Sequence, residues 1–250
     1  MTDNPKRIFS PYALEMHRAR AAHLAGVRFL WREAAGGLSD RIHPLARHFR
    51  QALAIEARAA DALGPNAESW TVAGFDADER LTAEGRFDLA VSLLSLHDID
   101  DLPGALAQIR RHLTADGFFA AALFAGNTLS ELKESLIAGE CETSGGAGLR
   151  VAPFADIRDL GRLMIRAGFS APVAEIERTT VQYREFSTLV RDLRMMGETG
   201  ILVDCRPLSR AALAAALSHY AAHYADAEGR LAATFDIAYL TGWAEPQRNG

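Results

Sequence analysis

The chain has 250 residues, 49% hydrophobic and 24% charged, enough to bury one sizeable core with helices on both faces of a sheet. No stretch is long and apolar enough to cross a bilayer, which sets aside an integral helical membrane protein. A net charge of -5 argues against a protein that coats nucleic acid, because phosphate binding needs a surplus of Lys and Arg on one face.

Residues Tyr12 to about Ala46 carry apolar side chains at helical spacing, interrupted by GGLSD at Gly36, which predicts two helices. Within them the basic run His17 to Arg32 reads as the solvated side of a helix. ALAIEA (Ala52 to Ala57) is either a buried strand or a helical turn, and SWTVAGF (Ser69 to Phe75) reads as a strand. From Phe87, FDLAVSLLSL is a near-continuous apolar run, the signature of a central parallel strand covered on both faces. DLPGALAQIRRHLTADG then places Leu102, Leu106, Ile109 and Leu113 on one helical face, with Pro103 in the first turn and Gly117 as terminator. FFAAALF (Phe118 to Phe124) is the next strand.

In AGNTLSELKESLIAGE, Thr128 and Glu131 have the spacing of a capping box. CETSGGAGLRVAP follows as a long glycine-rich loop, a lid or binding loop. A helix in FADIRDLGRLMIRAGF, an extended run APVAEIERTTVQY, helices in FSTLVRDLRMM and SRAALAAALSHYAAHYAD and a closing strand ATFDIAYLTGWA complete the chain. The alternation of strand and helix predicts an α/β sheet, its two late strands forming an antiparallel pair at the edge. Cys141 and Cys205 have no second pair to build a metal cage or disulfide framework. The opening MTDNPKRIFSPY reads as neither signal nor transit peptide, so a cytoplasmic protein is expected.

The runs FDLAVSLLSLHDIDDLPGALAQIRRHLTADGFFAAALFAGNTLSELKESL, GGAGLRVAPFADIRDLGRLMIRAGF, LVRDLRMMGETG and GRLAATFDIAYLTGWA, in this order, resemble the class I methyltransferase family. This is the family that contains the complex I assembly factors and is similar to the malonyl-carrier methyltransferases of biotin synthesis. The resemblance implies a three-layer Rossmann-like sandwich with seven strands, mostly parallel and with the last antiparallel. It also implies an S-adenosylmethionine pocket along the carboxyl ends of the first strands. The chain then divides, as a single domain, into N-terminal helices (1–50), a reduced cofactor half (51–125) and a family-specific C-terminal half (126–250).

That cofactor makes two demands. A glycine turn after the first strand lets backbone N–H groups approach the methionine carboxylate, and an acid at the end of the second strand accepts from the ribose hydroxyls. The family's acid and G-x-G turn should fall just after Leu53. The sequence there is ALAIEARAADALG, with no glycine between Gly37 and Gly64. EARAADAL consists largely of strong helix formers, which predicts a helix continuing where relatives turn. Leu53 to Phe87 also falls short of the roughly fifty residues that strand, helix, strand, helix and strand require, so at least one helix and one strand are expected to be missing or shortened. S-adenosylmethionine is therefore expected to bind weakly or not at all.

The candidate cofactor residues are Glu56, Asp76, Asp78 and Ser95. Asp76 and Asp78 read equally as a solvated turn whose side chains bond nearby amides. His97, at the sheet edge where ligands of α/β folds lie, is the candidate catalytic group; the alternative is a structural bond within HDIDD. Asn127 stands where relatives more usually carry an aspartate. Arg150 is a candidate anion clamp, or the partner of Glu140 or Glu142. Asn127 and Arg150 are the candidates for binding substrate or partner. No metal-ligand cluster stands at recognisable spacing. Three functions compete: a methyltransferase with a non-standard pocket, a non-catalytic scaffold or assembly factor, and an enzyme like the relatives thought to hydroxylate arginine. The loops GGAGLRVAPF and MGETGIL are expected to present a surface to a partner protein or a second copy of the chain.

Overall fold

The structure, a computed structural model, describes residues 7–24, 29–204 and 206–245. Cys205 and the part of the basic run at 25–28 lie outside the described residues. The chain forms two compact units. One comprises Phe29–Gly126, Phe154–Glu177 and Asp236–Gly250, and the other Met1–Arg28, Asn127–Pro153 and Arg178–Phe235.

The first unit holds most of one six-stranded sheet, built from β1 (Phe49–Ile55), β2 (Ala67–Ala73), β3 (Phe87–Leu93), β4 (Leu113–Ala125), β5 (Ser170–Tyr183) and β6 (Leu231–Ala244). The strand order is β2-β1-β3-β4-β6-β5. β1 runs parallel to β2 and β3, β3 parallel to β4, and β6 antiparallel to β4, with Ala121 opposite Leu240. β3 and β4 are thus adjacent and internal, as their apolar runs predict. Gly242 packs on Phe169 and Thr180 faces Thr234, which makes β5 and β6 the expected antiparallel pair with β5 at the edge. Among the described residues six strands stand where the resemblance implies seven. Between β2 and β3 the described chain forms only a small hairpin, closed by the Phe75–Leu81 bridge.

Alternation along the strands sorts the core. Leu53, Ile55, Phe119, Ala121, Leu123, Ala238 and Leu240 pack with Leu106 and Ile109 of α4 (Leu102–His112) and with Leu160 and Met164 of α6 (Ile157–Arg166). On the other face lie α2 (Phe29–Ile42) and the short α3 (Ala57–Leu63). Two expectations are corrected here. Gly36 and Gly37 do not break a helix but lie inside α2, because a Cβ at Gly37 would collide with the ring of Tyr239. Nor does α4 run to Gly117. Its N-terminus is capped as read, with Asp101 Oδ1 accepting from Gly104 N at 2.9 Å, but it ends at His112, where Leu113 turns extended and pairs with Phe87. Burying Leu113 at 1% exposure is worth more than one further helical turn.

In the second unit lie α1 (Pro11–Ala22), α5 (Ser130–Ser144), α7 (Phe186–Met196) and α8 (Arg210–Tyr224). α5 and α8 pack closely at Gly139, where a Cβ would stand 2.5 Å from Ala212 O and Ala216 N. On α8, Tyr220 is buried and its hydroxyl donates to Ala232 O at 2.8 Å. The capping box does not form. α5 starts at Ser130 behind Leu129, a left-handed residue with no side-chain cap. The Glu131 carboxylate instead accepts from Thr234 N at 3.1 Å and from the Thr234 hydroxyl. The glycine-rich loop begins only at Gly145, which closes α5 at φ 72°.

Candidate functional site

The four parallel strands of the first unit all end on one side, at Glu56, Gly74, Leu94 and Gly126. Glu56 continues the ladder, its N–H donating to Ala73 O at 2.8 Å, and then turns at φ 69°, ψ 150°. That region is essentially glycine territory. The expected continuous helix is thus corrected: the turn after β1 is present, in the backbone conformation a glycine would take, but a glutamate occupies it. α3 starts one residue later with Arg58 in its first turn. Arg58 Nε donates to Glu56 Oε2 at 2.9 Å, its Nη2 reaches the same oxygen, and its guanidinium lies 4.9 Å from the centre of the Trp31 ring. Arg58 Nη1 is buried without a hydrogen-bond partner among the described residues. Ala54, preceding this turn by two positions, is fully buried between β2 and β3, which leaves no acid on the last turn of β1 other than Glu56.

Asp76 takes the structural alternative. Its Oδ1 accepts from Asp78 N at 2.9 Å and Arg80 N at 2.8 Å, an Asx turn that closes the hairpin. Asp78 is exposed at the tip. The residue that ties this hairpin to the start of α4 is one the sequence pattern did not single out, Glu79: its carboxylate accepts from Asp100 N at 2.8 Å and Asp101 N at 2.7 Å. Gln108 adds a bond to Glu79 O and accepts from Leu81 N. These hydrogen bonds hold the loop after β2 against the start of α4.

After β3 the chain enters the left-handed region at Leu94 (φ 49°), whose N–H still bonds Ala122 O at 2.8 Å. Ser95 is buried, its Oγ 2.8 Å from Ser92 Oγ. His97 is buried too, 7% exposed; its Nδ1 accepts from Phe124 N at 3.4 Å, and its ring meets those of Phe124 and Phe154 at 4.9 and 6.0 Å. The first unit therefore brings Glu56, Ser95 and His97 to the same ends of the sheet. Asn127 and Arg150 belong to the second unit. There Arg150 is clamped: Nε donates to Glu140 Oε2 at 3.0 Å, Nη2 to Glu140 Oε1 and Nη1 to Arg206 O. Glu140 also accepts from Gly148 N at 3.1 Å, and the Arg150 guanidinium holds its carboxyl below the ordinary glutamate range. The arginine thus pins the glycine-rich loop to α5. The spacing Glu56-x-Arg58 directly after a strand is the one sequence signal that the pair at the turn left.

Strand order, parallel β1 to β4 and the antiparallel β6 define a Rossmann-like methyltransferase fold. The YcgJ protein from Bacillus subtilis shares that fold with a TM-score of 0.56 at 11% identity, over 84% of this chain and 99% of that one. A methyltransferase domain model matches residues 42–121. Together with the likenesses below, these matches support a class I methyltransferase family for this chain. It is 38% identical over 174 residues to the mitochondrial arginine-hydroxylase NDUFAF5 of Danio rerio, covering 67% of this chain and 54% of that protein. It is 33% identical to a malonyl-[acyl-carrier protein] O-methyltransferase of Halorhodospira halophila, covering 65% of this chain and 55% of that protein. The chain spans about half the length of these relatives.

Proposed function

We propose that this chain keeps the methyltransferase fold as a binding scaffold and has a cofactor pocket too impaired to hold S-adenosylmethionine at working concentrations. The observation that carries this reading is the Glu56–Arg58 pair at the turn after β1. The methionine carboxylate of that cofactor is held in such folds by backbone N–H groups exposed through a glycine turn. Here a carboxylate side chain stands at the turn, the Arg58 fork is spent on it, and α3 has only seven residues. Asp76, the acid available for the ribose, is already accepting two backbone N–H groups. The residues present do not fit the group.

Arg58 Nη1 is a buried side-chain donor at this turn with no hydrogen-bond partner among the described residues. One charged hydrogen bond contributes about 1.5–3 kcal/mol, against the roughly 7 kcal/mol that a dissociation constant near 10 μM represents. Partner binding through the C-terminal half would use its loops, where Leu149 and Val203 stay 46% and 50% exposed. Thermal melting with and without millimolar S-adenosylmethionine tests the reading, since any ligand selective for the native state raises the midpoint; an unchanged midpoint is the expected result.

A second reading, oxygen transfer to an arginine side chain, is favoured by the identity to the hydroxylase-named relatives. Mass spectrometry of arginine-containing peptides incubated with the protein, dioxygen and a two-electron reductant tests it by a gain of one oxygen atom, the second oxygen leaving as water.

A further inference from the structure

We propose that a cleft along α4, opening at the end of the sheet opposite Glu56, is a binding site for a phosphate-bearing small molecule. The cleft has a volume of about 800 Å³ and is lined by Arg86, Arg110 and Arg111, with Gln108 and Gly168 among its walls. That lies within the roughly 300–1,000 Å³ of small-molecule sites. Arg86 immediately precedes β3, while Arg110 and Arg111 end α4, so three cations converge where the chain passes between helix and strand.

Two of these guanidinium groups are already fixed, and by carbonyls rather than by carboxylates. Arg86 Nη1 donates to Arg111 O at 2.6 Å and Leu113 O at 3.2 Å. Arg110 Nε donates to Gly168 O at 3.0 Å and its Nη2 to Glu245 O at 2.7 Å. A neutral carbonyl orients a guanidinium without cancelling its charge. Arg86 keeps Nε and Nη2, and Arg110 keeps Nη1, free of hydrogen bonds to described residues. Burial, and next the charge of Arg86, lower the proton affinity of Arg110, an effect that Glu245 only partly offsets.

The carboxylates on the cleft wall are those of Asp101, whose Oδ1 is committed to capping α4, and Glu245. A phosphate dianion relieves the repulsion between two arginines at once: it matches the open Nε–Nη2 edge of Arg86 and can accept a single further hydrogen bond from Nη1 of Arg110. Because the forks are already held, binding costs little side-chain ordering.

The experiment is calorimetric titration of the full chain with inorganic phosphate and, separately, with ADP, at ionic strength held constant by chloride so that screening does not change. Arg111→Gln and Arg86→Gln are titrated alongside. The Arg111 side chain makes no hydrogen bond to a described residue, so its replacement leaves folding intact, as circular dichroism would verify. Saturable binding that weakens at least fivefold in both variants supports the site, and the tighter of the two ligands tells whether phosphate alone or a nucleotide is preferred. The proposal is overturned by the absence of saturable binding of either ligand, or by binding that both variants retain.

Discussion

At the end of β1, Arg58 Nε sits 2.9 Å from the carboxylate of Glu56, two residues away across a turn that only glycine adopts without strain. The two side chains are 12% and 26% exposed, so the pair lies in a partly dry setting. Arg58→Ala is expected to cost about 1–2 kcal/mol, more than an exposed pair and less than a fully buried one. Glu56→Gly relieves backbone strain of about 1–3 kcal/mol but leaves Arg58 unpaired, and the net change should be small. Urea denaturation of both single variants and the double variant measures the coupling. Additivity within about 0.5 kcal/mol would mean that the pair does not hold the turn.

Glu140 provides a pH handle. Its carboxyl is held below the ordinary glutamate value, chiefly by Arg150. A lowered folded value means that its stabilising contribution is complete above the unfolded pKa and is lost as the pH falls through the folded one. Urea midpoints followed from pH 7 down to pH 3 should therefore show a shallower acid decline in Glu140→Gln than in the parent. Arg150→Ala should share that shallower decline and expose 145–150 to limited proteolysis. Parallel acid limbs in all three proteins would contradict the role given to this pair.

Two glycines are read here as sites of close approach. Gly139→Ala places a Cβ 2.5 Å from backbone atoms of Ala212 and Ala216, which cannot rotate away, and a loss of about 2–3 kcal/mol is expected. At Gly37 the nearest atoms to a new Cβ belong to the ring of Tyr239, a side chain rather than backbone, so about 1–2 kcal/mol is expected there. Thermal or urea midpoints check the order, and a Gly37→Ala protein less stable than Gly139→Ala would reverse it.

These glycines also show where the sequence was legible. β3 and β4 were readable because burial on both faces writes a continuous apolar run, and α4 because Asp101, Pro103 and the basic residues of its last turn are local signals. Gly37 reads as a helix breaker because its reason, the ring of Tyr239, lies some two hundred residues on. Glu131 reads as half of a capping box because nothing nearby reveals that Thr234 claims its carboxylate. At the cofactor turn the lost glycine was plain in the sequence, whereas the retained backbone conformation and the Arg58 partnership were not. A strand's ladder fixes that turn regardless of which side chain occupies it.

The central claim is that the turn at Glu56 no longer supports the family's cofactor. Isothermal titration of S-adenosylmethionine into the full chain at about 50 μM, several times a dissociation constant near 10 μM, tests it most directly. The account predicts no saturable heat over that range; a saturating isotherm with micromolar affinity would contradict it and restore this chain as a working methyltransferase candidate.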